Sequence, residues 1–434
     1  MNSARETAAA VRSGRSSAIA ETEAAIQRIE ADDPAINAVV VRRFEAARCD
    51  AQAVDARLNT GEDLPLAGVA MTVKESFDVA GLPTTWGMTD HADHCADADA
   101  EIVRRLKMAG AVILGKTNVP PMLADWQSAN PVYGVTRNPH DRARVPGGSS
   151  GGAAAALASH MVPLEYGSDI GGSVRVPAGF CGVWGLKTSY GAVPMGGHFL
   201  PGLHGAPAEM GVCGPLARAA EDLRLALELT TAVPLDRRVP DRLAGLRIAP
   251  LFSHPVAGVR DEIGKVGQAT LDAAARAGAE IVEDIPWPDL AAMHADYVRL
   301  LLTTIGRGQP LPDGTQPVTL EAWWQMLDAR ARWIAAWDAV YDRVDAVLMP
   351  VAGITAFEHD AGDSQNRMVE IDGEATPWGA QLAWAGMANY TGFPSCAFPA
   401  GTDAAGLPIG YQLMTPMWTD HRAAALAKLV DLAK

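Results

Sequence analysis

The sequence lacks any stretch of about 18 uninterrupted apolar residues, the length that a membrane-spanning helix requires. Its first residues also lack the apolar core of a secretory signal peptide. Basic residues are few: 36 Lys and Arg stand against 51 Asp and Glu, which gives a net charge of −15, and no long basic run occurs. We therefore expect a soluble, cytoplasmic protein with no membrane and no nucleic acid as partner.

Cysteine is also scarce. The five cysteines are scattered and include no Cys-x-x-Cys pair, so we interpret them as reduced, mostly buried thiols. With 48% apolar and 20% charged residues, the composition is that of a globular protein that buries a sizeable core. At 434 residues the chain is long, but large α/β enzymes reach this size around one sheet. We expect one large domain over residues 1–434.

Amphipathic helices and short apolar strands alternate along the chain. A helix predicted over residues 99–109 leads into a strand over 111–114, and the unit recurs with a helix over 153–160 and a strand over 162–166. An earlier helix over 17–31 is expected to stop at Asp32-Asp33-Pro34. The alternation predicts an α/β sandwich around a central, largely parallel sheet.

Two glycine-rich segments with serines hold most of the functional information. The first, Gly147–Gly152, contains Ser149 and Ser150, and the second, Gly167–Ser173, ends at Ser173. Glycine allows backbone conformations that are closed to other residues and presents N–H groups at close range, which an oxyanion site needs. Ser173 is therefore the candidate nucleophile.

A serine hydroxyl becomes a strong nucleophile only when a base takes its proton, and the usual base is histidine. The histidines here are poorly placed; His91 and His94, for example, lie in an acidic stretch. Lys74 is another candidate for the base, because it ends an apolar strand predicted over residues 66–74. Desolvation there penalises the ammonium form and lowers the lysine pKa, so that a neutral amine can act as the base.

These motifs resemble those of the amidase signature family. Its members carry a Gly-Gly-Ser-Ser-Gly-Gly nest and an Asp-x-Gly-Gly-Ser-x-Arg-x-Pro-Ala segment, which this chain matches at residues 147–152 and 169–178. Further matches, among them residues 72–75 and 406–410, extend the likeness over nearly the whole chain. The resemblance implies an α/β/α domain with a large mixed sheet, an N-terminal helical layer over residues 1–60, and a catalytic core over 61–434.

The resemblance also implies a role for each matching residue. Ser173 would be the nucleophile, Ser149 a bridging serine held on a cis peptide bond, and Lys74 the terminal base. Neutral Lys74 would accept the proton of Ser149 while Ser149 accepts that of Ser173, and an acyl-enzyme would form on Ser173. Four backbone N–H groups would form the oxyanion hole, those of Ile170, Gly171, Gly172 and Ser173. We expect no metal ion and no other cofactor.

An apolar pocket is expected beside these serines. Its candidate wall residues are Trp86, Met88, Met122, Trp126, Met195, Phe199 and Leu203. Residues 191–214, glycine-rich and without periodicity, are predicted to form a mobile loop over the site. Arg175 is expected to hold the nucleophile turn together with Asp169, and direct contact of Arg175 with substrate is the alternative. The pocket favours a neutral, apolar or aromatic small-molecule amide, and an anilide, ester or carbamate (urethane) stays open.

Other interpretations compete with this one. Residues 148–152 satisfy Gly-x-Ser-x-Gly, the nucleophile elbow that would make Ser150 the nucleophile, but an elbow follows a strand and residues 139–146 are polar and proline-bounded. A short cluster of possible metal ligands consists of His91, Asp93, His94 and Cys95. We prefer to interpret this segment as a solvated turn, with a metal site as the alternative.

Two alternative functions also stay open at this point. The chain could be the glutamine-hydrolysing subunit of a tRNA-dependent amidotransferase, which works in a complex, or a catalytically inactive binding module. The presence of Lys74, Ser149 and Ser173 together argues against the inactive module. The sequence leaves a homodimer open as well.

Chemical labelling separates the two candidate nucleophiles. A serine-directed fluorophosphonate is expected to modify Ser173, because only an activated hydroxyl attacks the phosphorus. Mass-spectrometric mapping of the adduct checks this, with Ser173→Ala as the variant that should lose the label. An adduct mapped to Ser150 would support the nucleophile elbow instead.

Overall fold

The computed structural model describes residues 2–310, 316–362 and 364–434. The helices of this part of the chain are α1 (Ala4–Arg12), α2 (Ala18–Ile36), α3 (Phe44–Asn59), α4 (Glu101–Met108), α5 (Gly151–Ala158), α6 (Arg175–Cys181), α7 (Ala220–Thr230), α8 (Asp261–Arg276), α9 (Leu290–Ile305), α10 (Leu320–Tyr341), α11 (Leu382–Thr391) and α12 (Asp420–Leu432). The strands are β1 (Val39–Arg42), β2 (Ala70–Lys74), β3 (Val112–Thr117), β4 (Ala129–Asn130), β5 (Gly134–Val135), β6 (Leu164–Asp169), β7 (Trp184–Lys187), β8 (Val212–Ala217), β9 (Arg247–Pro250), β10 (Glu280–Ile281), β11 (Ala346–Pro350), β12 (Met368–Ile371), β13 (Glu374–Pro377), β14 (Ser395–Thr402) and β15 (Pro408–Met414).

Eleven of these strands form one sheet in the order β1-β3-β2-β6-β8-β7-β14-β15-β11-β9-β10. Parallel pairs join β3 to β2, β2 to β6, β11 to β9, and β9 to β10. The other neighbours pair antiparallel. The mixed α/β architecture is confirmed, but the prediction of a mostly parallel sheet is wrong. One reason is the short connection 403–407 between β14 and β15, since a hairpin turn of this length joins only antiparallel strands.

Helices cover both faces of the sheet. One apolar cluster joins α1, α4, α7, α8 and α12 to the first face, and another joins α2, α3, α5 and α6 to the second. Side chains of β3 alternate between the two clusters, with Ile113 in the first and Val112 and Leu114 in the second. A third cluster packs α9, α10 and α11 against β9 and β11. No helix in the described residues has the length and apolar character needed to cross a bilayer.

The same alternation aims Lys74 at the second face. In β2, Val73 belongs to the first cluster and Ala70 to the second, so Lys74, four residues after Ala70, faces α5 and α6. Ser149 lies two residues before the start of α5, and Ser173 lies two residues before the start of α6. The strand end and the two helix starts therefore meet at one place.

The N-terminal segment 1–60 differs from the expectation in two details. Helix α2 continues through Pro34 to Ile36, because Pro34 lies in the last turn and the Asp33 carboxylate accepts hydrogen bonds from the N–H groups of Ala38 and Val39 beyond the helix. The segment also contains β1, which pairs antiparallel with β3 at the sheet edge. The described residues 2–60 thus contain three helices and one edge strand.

A backbone-to-backbone contact sets the distance between α6 and the sheet. A Cβ atom added to Gly410 of β15 would come within 2.3 Å of the Gly179 Cα atom of α6. We expect Gly410→Ala to lower the free energy of unfolding by about 1–3 kcal/mol or more, because helix and strand must separate. Gly264→Ala is the control: Gly264 lies in α8 with no atom within 4 Å of the added Cβ. Chemical denaturation that found equal stabilities for the two variants would contradict this prediction.

Candidate active site

Lys74 lies at the centre of a buried serine cluster. Its Nζ atom lies 2.7 Å from Ser149 Oγ and 2.9 Å from Ser168 Oγ. The side chain is fully buried, and this burial lowers the pKa of Lys74 to about 7, against the raising effect of Asp169. Near neutral pH a large fraction of the amine is therefore uncharged and able to accept a proton.

Ser149 and Ser150 precede α5 and differ in their surroundings. The Gly148–Ser149 peptide bond is cis, and Ser149 lines a cavity as well as contacting Lys74. Ser150 is fully buried, is absent from the cavity wall, and its Oγ donates to the Ser168 carbonyl at 3.4 Å. No strand lies between residues 139 and 150. The strand that a nucleophile elbow at Ser150 requires is therefore missing.

Asp169 shapes the turn between β6 and α6. Its carboxylate accepts hydrogen bonds from the N–H groups of Gly172 and Val174 at 2.9 and 3.0 Å and forms a buried ion pair with Arg175 at 2.9 Å. Burial raises the pKa of Asp169, but the Arg175 charge and these hydrogen bonds outweigh it and hold the pKa well below its usual range. The carboxylate therefore stays ionised, and the turn that carries Ser173 is held at both ends.

The four backbone N–H groups predicted for the oxyanion hole are not equivalent. The Gly172 N–H already donates to Asp169 Oδ1. Within the described ranges, the N–H groups of Ile170, Gly171 and Ser173 donate to no protein acceptor, and all three residues line the cavity. Three of the four amides are thus available to a ligand in this structure.

A cavity of about 370 Å³ opens at Ser149 and Ser173. Its wall is mostly apolar and includes six of the predicted residues, namely Trp86, Met122, Trp126, Met195, Phe199 and Leu203. Met88 does not line it. The predicted loop contributes much of the wall between residues 195 and 211, and its last residues, 212–214, belong to β8. Residues of the loop therefore line the same cavity as Ser149 and Ser173.

Arg175 lies outside the cavity, which corrects the alternative that it contacts substrate. Its guanidinium is fully buried and donates to Asp169, to Gln412 Oε1 at 2.8 Å and to Asn389 Oδ1 at 2.6 Å. These partners come from β6, β15 and α11. Arg175 therefore holds the turn that carries Ser173 against β15 and α11, and none of its donors is directed at a ligand.

Sequence reasoning missed several residues of the site. Ser168 contacts Lys74, and although it lies inside the second glycine segment no role was assigned to it. The unpredicted part of the wall includes Leu301, Leu302 and Ile305 of α9, Trp378 in the turn before α11, and Leu382 at the start of α11. Asp125 also lines the cavity and is paired with Arg367 at 2.6 Å. The spacing of apolar residues in α9 indicates a helix, but it does not indicate that this helix contacts the site.

The candidate metal site at residues 91–95 lies on the surface. Asp93, His94 and Cys95 are exposed and His91 is half-buried beside them. Within the part of the chain that the structure describes, no three side chains of His, Cys, Asp or Glu are arranged to hold a metal ion. All five cysteines are free thiols, with Cys49 and Cys95 exposed and the others buried.

Comparison with known proteins decides the family. The family profile named Amidase matches residues 20–309 and 309–423. The chain belongs to the amidase signature family. The motif resemblance is thereby confirmed, and this amidase signature protein is an amide-hydrolysing enzyme.

Relatives of this amidase signature enzyme carry several names. The putative amidase AmiB2 of Mycobacterium tuberculosis is 33% identical over 446 residues, which cover 95% of this chain and 92% of that protein. A glutamyl-tRNA(Gln) amidotransferase subunit of a Synechococcus species is 30% identical over 475 residues, covering 96% and 94%. A solved bacterial aryl acylamidase superposes with a TM-score of 0.85 at 25% identity, covering 100% of this chain and 96% of that one.

Proposed function

We propose that this enzyme hydrolyses the C–N bond of a neutral, apolar or aromatic amide through an acyl-enzyme on Ser173. The observation that carries the proposal is the 2.7 Å contact between the buried Lys74 amine and Ser149 Oγ, beside a cavity that Ser173 also lines. An amine with a pKa of about 7 can take a proton at neutral pH.

The reaction begins when Ser173 Oγ attacks the carbonyl carbon of the amide. Ser149 accepts the Ser173 proton and passes its own to the neutral Lys74 amine. The carbonyl electron pair moves onto oxygen, where the free N–H groups of Ile170, Gly171 and Ser173 stabilise the negative charge. When the intermediate collapses, the C–N bond breaks and the leaving nitrogen takes the proton back through Ser149. Water then attacks the acyl-enzyme along the same relay and releases the acid.

The cavity wall supports an uncharged substrate. Among the described residues, its two carboxylates are already paired, Asp125 with Arg367 and Asp169 with Arg175. The Arg307 guanidinium lies in the exposed part of the wall and donates to the Ala206 carbonyl at 2.8 Å. A cationic group on a substrate would therefore lose its hydration among apolar side chains without gaining an unpaired carboxylate of the described wall. Anilides, aryl esters and aryl carbamates share the tetrahedral intermediate of amides and fit the same wall.

The second candidate function is glutamine hydrolysis within a complex, which the 30% identity to a glutamyl-tRNA(Gln) amidotransferase subunit supports. Free glutamine carries both an ammonium and a carboxylate, and each needs a partner of opposite charge when it is bound. In the described wall Asp125 is paired with Arg367 and Asp169 with Arg175, so the ammonium meets no unpaired carboxylate there. The apolar wall therefore favours the first function.

A pH–rate profile tests the role of Lys74. Because the folded-state pKa is lowered to about 7, the neutral amine is lost below that pH and prevails above it. We expect kcat/KM to rise about tenfold per pH unit below the pKa and to level off above it. Arginine stays protonated, so Lys74→Arg should lower kcat by about 10²–10⁴. The control is Lys107→Arg, a helix lysine paired with Asp99 away from the cavity. Retention of activity with an unshifted profile in Lys74→Arg would make the lysine structural.

A substrate panel tests the proposed class. The purified chain, without partners, is assayed with p-nitroanilides, aryl carbamates, short primary amides and glutamine. We expect kcat/KM for an aryl substrate to exceed that for glutamine at least about a hundredfold, because binding glutamine leaves its ammonium without a carboxylate partner in the described wall. Preference for glutamine, or activity that appears only with a partner protein, would favour the amidotransferase function instead.

A further inference from the structure

Tyr297 lies on α9, behind the turn formed by residues 170–173. Its hydroxyl donates to the Ile170 carbonyl oxygen at 3.0 Å. The side chain is only 1% exposed and is not part of the cavity wall. Burial raises the pKa of Tyr297 above its ordinary value, so the hydroxyl keeps its proton at neutral pH. This donor therefore binds the turn without lining the cavity itself.

The geometry of a peptide unit links this contact to the cavity. Among the described residues only the peptide bond between Gly148 and Ser149 is cis. The peptide bond between Ile170 and Gly171 is therefore trans. In a planar trans peptide the C=O and the following N–H point in opposite directions. With the Ile170 oxygen held towards α9, the Gly171 N–H points away from α9. Gly171 lines the cavity, and its N–H donates to no acceptor in the described part of the protein.

Packing locates the Tyr297 ring independently of its hydrogen bond. A Cβ atom on Gly386 of α11 would come within 2.6 Å of the Tyr297 ring, so the absence of a side chain there makes room for it. The Tyr390 ring lies beside it, with the ring centroids 6.1 Å apart. Removing the hydroxyl alone therefore leaves the ring in place and changes only the contact with Ile170.

The following peptide unit is held in a similar way. Trp126 Nε1 donates to the Gly171 carbonyl oxygen at 2.9 Å, and the Gly172 N–H of that unit donates to Asp169. The carbonyl groups of Ile170 and Gly171 are thus each bound by an aromatic side chain. Trp126 also forms part of the cavity wall, whereas Tyr297 does not, so Tyr297 is the one whose effect can be separated from substrate contact.

We propose that Tyr297 is a positioning residue for the oxyanion site, acting through the peptide unit of Ile170 and Gly171. The inference rests on the proposed function, in which the Gly171 N–H stabilises the charged oxygen of the tetrahedral intermediate. Tyr297 touches neither substrate nor reacting atoms. Without the Tyr297 hydroxyl, the Gly171 amide is free to rotate away from the direction that the transition state needs. The cavity wall that binds the substrate is unchanged.

Steady-state kinetics of Tyr297→Phe test the inference. We expect kcat to fall roughly tenfold, less than the hundredfold or more that follows outright loss of an oxyanion donor, because the amide remains present. KM should stay within about twofold, and the pH limb near 7 should not move, because Lys74 keeps its surroundings. The inference would be overturned if Tyr297→Phe kept the parental kcat. It would also be overturned if KM rose by the same factor as kcat fell, or if the pH limb shifted.

Two matched Tyr→Phe variants separate positioning from general destabilisation. The buried Tyr390 hydroxyl has no hydrogen-bond partner within the described residues, so Tyr390→Phe should leave kcat and KM unchanged. Tyr411 donates to the Ile263 carbonyl at 2.8 Å, remote from the cavity wall, so Tyr411→Phe should lower the unfolding temperature without lowering kcat per folded molecule. If Tyr411→Phe and Tyr297→Phe lost the same kcat, the hydroxyl would be merely structural. Turnover by Ser173→Ala would instead refute the proposed function itself, whatever Tyr297→Phe does.

Discussion

The buried ion pair between Asp169 and Arg175 is the interaction on which the geometry of the site depends. Asp169 ends β6 and Arg175 begins α6, so the pair closes the turn that carries Ser173. Arg175 also donates to Gln412 of β15 and Asn389 of α11, which fixes the turn to the sheet and to the third helical cluster. Both charges are fully matched, and removing one partner of such a pair typically costs about 3–5 kcal/mol because the other charge stays buried and unpaired.

Asp169 of this pair also affects the pKa of Lys74. Burial lowers the lysine pKa, whereas the nearby Asp169 carboxylate raises it by attraction. Burial is the larger of the two effects, so the pKa falls to about 7. Asp169 thus has two roles: with Arg175 it shapes the turn that carries Ser173, and its charge opposes the effect of burial on Lys74.

Local sequence patterns predicted the parts of the site that are contiguous in the chain. The glycine segments around Ser149 and Ser173 and the strand-end Lys74 are such parts, and their meeting, across 75 positions for Lys74 and Ser149, was anticipated through the family resemblance. Residues whose role depends on helix packing were not predictable. In α9 the buried positions Leu290, Met293, Tyr297, Leu300 and Leu301 repeat at helical spacing, which indicates a helix. The spacing does not tell which turn of another element the Tyr297 hydroxyl meets, because that depends on the tertiary arrangement.

The chemistry and the choice of substrate reside in different parts of the fold. The proposed proton relay lies at the end of β2 and before the starts of α5 and α6, whereas most of the cavity wall comes from segments 122–126, 195–212, 301–307 and 378–382. Most wall residues contribute to neither the Lys74–Ser149 contact nor the Asp169–Arg175 pair, so they can vary in size and polarity while the relay is preserved. The chain shares its fold with a bacterial aryl acylamidase at 25% identity and is 30% identical to a subunit of an amidotransferase. Trp126 connects the two parts in this structure, because its side chain lines the cavity and its Nε1 donates to the Gly171 carbonyl oxygen.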